Sequence, residues 1–108
     1  MFRSISEADW KVFRQLRVVA LERFCERALA EVGALASSTD KSAHERYLAV
    51  FRLLEQRDRE LADAFNGARR STALRQLALI QSHRLLTEEE MGRFSPDTRE
   101  AVQLLAGM

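Results

Sequence analysis

Residues 6–36 carry one long helical pattern of apolar side chains, and no other stretch restricts the possible folds as much. Ser6 is a suitable N-cap, because its hydroxyl can accept from a backbone N–H one turn on, and Asp9 stands where a capping-box acid would reach back. Ile5 and Trp10 occupy the flanking staple positions. Laid out at about 100° per residue, Trp10, Phe13, Leu16, Val18, Ala20, Leu21, Phe24, Cys25, Ala28, Leu29, Val32 and Leu35 fall in one arc. The arc covers about 220° of the cylinder, more than one neighbour buries, so at least two packing partners are expected. Val12 and Val19 lie outside it, close to Ala30, and form a second, weaker seam. Such a helix is about 40 to 45 Å long, which exceeds the diameter of a globule of this size. Part of the arc is therefore expected to meet another chain.

The rest of the chain reads as further helices. Ser37, Ser38, Thr39 and Asp40 mark the first connection, anticipated by Gly33. Ser42 and Glu45 form a capping box that opens a second helix to about residue 66, with Tyr47, Leu48, Phe51, Leu54, Leu61, Ala62 and Phe65 as its apolar face. The Asn66-Gly67 pair suits a left-handed helix end. One continuous helix from Ser42 to Arg84 would be about 60 Å long, too extended for a compact domain. A third helix is expected from 68 or 71 to 84, carrying Ala73, Leu74, Leu77, Ala78, Ile80 and Leu85, while Leu79 points the other way, towards a second contact. Thr87 with Glu90 is another capping box, opening a short helix over 88–93, and Ser95 with Pro96 opens a last one whose apolar side is Ala101, Val102 and Leu105. The expected fold is a compact all-α bundle, a single domain over 1–108, with three main helices and two short C-terminal ones.

Three charged residues interrupt the apolar faces: Arg14 and Arg17 on the first helix and Asp58 on the second. In a helical hairpin turning near Thr39, contacting residues have numbers summing to about 78, which brings Arg17 within a turn of Asp58. We expect Arg17, with Arg14 beside it, either to snorkel to water or to pair with Asp58 in a buried ion cluster that specifies register more than it adds stability. As a ligand site the same cluster would suit a carboxylate or phosphate, but Asp58 would already fill it.

Composition limits the function classes. With 17 basic residues against 16 acidic ones the global balance favours neither nucleic acid nor a membrane surface. The distribution is less even: residues 67–86 hold Arg69, Arg70, Arg75 and Arg84 and no acid, whereas 87–108 hold five acids against two arginines. Nucleic-acid binding through those four arginines is the alternative reading. Against it, they scatter round the helix instead of forming a stripe, and the next helix opens with Glu88, Glu89 and Glu90. Cys25 is the only cysteine, so no intramolecular disulfide exists, and a reducing cytoplasmic setting fits best. Nothing near the start of the chain resembles a leader, and no apolar run is long enough to span a membrane. No metal is expected, since Lys41 and Ile80 stand where a Glu-x-x-His pattern would need acids before His44 and His83. Four glycines make no phosphate loop and no nucleophile elbow, so neither a cofactor nor a catalytic residue is expected.

The segments Ser42-Ala-His-Glu-Arg, Arg69-Arg-Ser-Thr-Ala and Leu86-Thr-Glu-Glu-Glu resemble those of a group of small all-helical bacterial proteins. The resemblance implies the fold and carries no activity. The resulting expectation is a non-catalytic protein-interaction module, homodimeric or bound to another protein, with Val12, Val19 and Leu79 as the candidate interface.

Overall fold

The computed structural model describes residues 4–107; residues 1–3, part of the stretch read above for a leader, and residue 108 lie outside them. Among the described residues five helices follow one another: α1 (Glu7–Ala36), α2 (Ala43–Phe65), α3 (Ala73–Ser82), α4 (Glu88–Met91) and α5 (Pro96–Ala106). The described residues contain no strand, so the chain is all-α.

Local sequence explains where these helices start and stop. Ser6 caps α1 by accepting from the Asp9 amide at 3.1 Å. The capping boxes of Ser42 with Glu45 and of Thr87 with Glu90 are both closed in each direction. Ser95 accepts from the Thr98 amide with Pro96 at the first turn of α5, where its missing N–H leaves no donor wanting. Gly67 takes φ +65° and ends the run of α2, so α2 and α3 are separate helices. Helix α3 is shorter than its pattern suggested, at 10 residues. The Thr72 hydroxyl folds back to accept from the Arg69 amide, which holds residues 69–72 as a turn, and Arg84 at φ +54° stops the other end.

The core lies at one end of the molecule. Phe13, Leu16, Ala20 and Phe24 of α1 meet Ala64 and Phe65 at the end of α2, Leu77 and Ile80 of α3, Leu85, Phe94, and Val102 of α5. Ala20 is fully buried, a small residue where helix backbones come close. Helix α1 holds 30 residues and is about 45 Å long, whereas the shorter helices gather against its first two-thirds. Compactness is therefore the part of the expected fold that fails. The radius of gyration is 16.5 Å with extents of 51 × 26 × 23 Å, against about 13 Å for a globule of this length. Beyond the core, α1 and α2 run on as a two-helix hairpin, and no residue from 29 to 63, all of them described, is buried.

Arginines reaching across from neighbouring helices tie off the helix ends. No helix has a basic residue in its own last turn. Instead Arg17 donates to the Phe65 carbonyl at the end of α2, and Arg27 donates to the His83 and Arg84 carbonyls after α3. Arg46 of α2 donates to the Ala36 carbonyl at the end of α1. The Phe65 and Ala36 carbonyls have no partner within their own helix and carry its negative end, and those of His83 and Arg84 lie just past the end of α3, so a guanidinium meets exposed acceptors at each place.

Candidate interaction surface

The candidate surface is the outer stripe of α2. Residues 47, 51, 54, 58, 61 and 65 recur at alternating spacings of four and three, which places them along one side of the helix. At the C-terminal end this side is covered within the chain: Phe65 is 1 % exposed, edge-on to Phe24 of α1, and Leu61 lies against the core. At the other end nothing among the described residues covers it. Tyr47 is 67 % exposed, Phe51 52 % and Leu54 45 %. The cause is length, since 10 residues of α3 reach about 15 Å along an α2 of 23 residues and about 35 Å. Ala36 and Ala43 close the tip of the resulting groove, whose volume is about 400 Å³. His44, Glu55 and Asp58 are exposed along the same stretch.

Behind the stripe, a polar network fixes the two helices of the hairpin. Arg57 holds Glu31 of α1 through Nη2 at 2.9 Å and Glu60 through Nη1 at 2.6 Å. The Arg57 guanidinium keeps the Glu31 carboxyl below the usual range, against the opposing pull of burial. The same carboxylates, Glu31 first, raise Arg57 further. At the base of the hairpin Arg23 grips Glu90 with both nitrogens, at 2.7 and 3.0 Å, and donates to the Leu85 carbonyl. Arg23, helped by the Thr87 amide, holds Glu90 down to about 2. On the opposite side of the core Asp9 is 4 % exposed and accepts from the Ser95 amide, the Ser95 hydroxyl and the Thr98 hydroxyl. Burial opposes its charge, yet those hydrogen bonds outweigh burial and leave the carboxyl below its ordinary value. Asp9 thus docks α5 onto α1 instead of completing a capping box.

The ion cluster expected of Arg14, Arg17 and Asp58 does not form. Arg14 and Asp58 are both exposed, and Arg17 bonds the Phe65 carbonyl with its guanidinium 5.9 Å over the Phe65 ring. The residue of α2 that faces α1 is Arg57, not Asp58, and one residue is a rotation of about 100°. The expected sum of 78 also ran low, because Arg17 meets Phe65 and Glu31 meets Arg57. Of the candidate interface residues, Val12 and Leu79 pack against the core of their own chain, and Val19 is half-buried. Arg69 and Arg75 are exposed, Arg70 donates to the Ile5 carbonyl at 2.9 Å, and Arg84 sits beyond the far end of α3. About 15 Å of helix separates the pair before α3 from the one after it, so the four do not make one patch.

Tyr47, Phe51 and Leu54 lie on the apolar face expected of the second helix, and all three are exposed. The signal for this is the shortness of α3: with Thr72 a turn residue, too few turns remain to cover α2. His83 lies edge-on to Phe24, with ring centroids 5.7 Å apart, and His44 stands exposed in the first turn of α2. Among the described residues no three His, Cys, Asp or Glu side chains gather as a metal site would need, and no helix is long and apolar enough to cross a membrane. No family model matches the chain, and no curated protein or solved structure matches it.

Proposed function

We propose that this chain is a non-catalytic helical interaction module that works as a homodimer, with the outer stripe of α2 as its contact surface. The observation that carries the reading is the continuity of that stripe: the side that is buried at Phe65 runs on, uncovered, through Leu54, Phe51 and Tyr47. Helical side chains of this kind are stable when another helix lies along them, and a two-helix hairpin with no buried residue gains little from its own packing. A second copy supplies such a helix at the same concentration as the first, and a self-complementary face closes into a dimer. Val12, Val19 and Leu79, the seams first expected to carry the contact, are replaced by Tyr47, Phe51 and Leu54.

Analytical ultracentrifugation from 5 to 200 µM tests this. A concentration-dependent dimer is expected, and Phe51→Asp is expected to return it to monomer without loss of helical content. A wild-type chain that stays monomeric throughout overturns the reading.

A further inference from the structure

The outer stripe of α2 has a layout that fixes how a second copy would lie on it. We propose that two copies pair through antiparallel α2 helices on a two-fold axis passing beside Phe51. This rests on the homodimer reading above and adds the register and the polar contacts that set it. About that axis, residues equally far from Phe51 in opposite directions face each other across the interface. Phe51 then meets Phe51 of the second copy, and Leu48 meets Leu54. One step further out the Tyr47 hydroxyl donates to the Glu55 carboxylate, and beyond that the His44 ring N–H donates to Asp58. The Phe51 pairing lies on the axis and occurs once, the others occur twice, and each joins an apolar residue to an apolar one or a donor to an acceptor.

An axis one helical turn away in either direction loses this match. Centred beside Leu54 it would set Asp58 against Val50 and Phe51 against Arg57, and centred beside Tyr47 it would set Phe51 against Ala43 and leave Asp58 beyond the tip of the hairpin. The register also accounts for Asp58 itself. It is an exposed acid in line with Leu54 and Leu61, and it takes part in none of the ion pairs formed among the described residues. In the dimer it acquires a donor. The stripe from His44 to Asp58 is about 21 Å long, a short contact, so a concentration-dependent equilibrium between monomer and dimer is expected.

Disulfide trapping and a polar swap test the register separately from the dimer. In a Cys25→Ser background, Phe51→Cys is expected to cross-link to itself under mild oxidation, because the two positions meet on the axis. Tyr47→Cys alone is expected not to, since its copies stand about 12 Å apart along the helices, whereas a mixture of Tyr47→Cys and Glu55→Cys chains is expected to trap the mixed dimer. His44→Glu is expected to weaken association at least tenfold by setting acid against acid, and adding Asp58→Lys in the same chain is expected to restore it. A dimer that cross-links through Val18→Cys or Leu104→Cys and not through Phe51→Cys overturns the register while leaving the homodimer standing. A dimer indifferent to His44→Glu overturns it too. A monomer at every concentration removes both.

Discussion

The two halves of the α1–α2 pair are built from the same materials and end in different states. Near the core, Phe13, Phe24 and Phe65 are at most 6 % exposed, while farther out Leu29, Tyr47 and Phe51 are all more than half exposed. Helix formation does not distinguish them, since both halves are continuous and well capped. The difference is the third layer: α3, α4 and α5 stand beside one half and are absent from the other. A helix stripe therefore becomes core or surface according to what lies alongside it, and its own apolar content does not decide which.

The largest expected effect breaks the comparison at its strongest point. Phe65→Ala should cost about 3 to 5 kcal/mol, because it empties a site that Phe24 and the Arg17 guanidinium enclose. Phe51→Ala, the same change on the same helix, should cost less than about 0.5 kcal/mol in dilute monomer. Urea unfolding of the two variants measures both. Equal losses would mean that the outer half is packed as tightly as the inner one.

Asp9 gives the next largest effect. Asp9→Ala leaves the Ser95 amide and the Thr98 hydroxyl without their acceptor in a nearly water-free site, at a cost of about 3 kcal/mol. α5 should loosen first. Its acid sensitivity has a definite sign. Asp9 and Glu90 are both depressed in the folded chain, so their contributions are complete above the ordinary carboxylate values and fade as pH falls. For Glu90 the window runs from about 4.3 down to about 2. Wild type should thus lose stability steeply below pH 4, and Arg23→Gln should flatten the part of that slope due to Glu90. Melting temperature against pH for the two proteins checks this.

Much of this architecture is written in local sequence, because caps are local chemistry. Ser6, Ser42, Thr87 and Ser95 each sit within three residues of the amide they cap, and all four helix starts are where those residues put them. Asn66-Gly67 marks the break between α2 and α3 for the same reason. What could not be read is everything that depends on rotation and reach. Arg57 and Asp58 are neighbours in sequence and face different ways, and an error of one residue put an acid where α2 turns a base towards Glu31 of α1. Arg17 looked like an intruder in an apolar arc because its partner is a backbone carbonyl 48 residues away, and a carbonyl carries no signature in the sequence. The candidate surface was legible as an apolar face but not as an exposed one, since exposure depended on where α3 would stop.

The smallest effect expected is also the sharpest probe of whether the two halves unfold together. Gly33 lies within α1 in the outer hairpin, and a methyl group added there would meet no atom within 4 Å. Gly33→Ala should therefore gain helix propensity, about 0.5 to 1 kcal/mol, without any packing cost. If the hairpin opens on its own before the core melts, that gain slows amide exchange in residues 29–57 and leaves the melting midpoint of the core where it was. If hairpin and core form one cooperative unit, the midpoint rises by a few degrees and exchange slows throughout. The bare stripe of α2 favours the first outcome, because little apolar burial couples the tip to the core. A uniform rise would show that the continuous backbones of α1 and α2, with Arg57 bridging them, transmit stability along the rod despite the missing third layer.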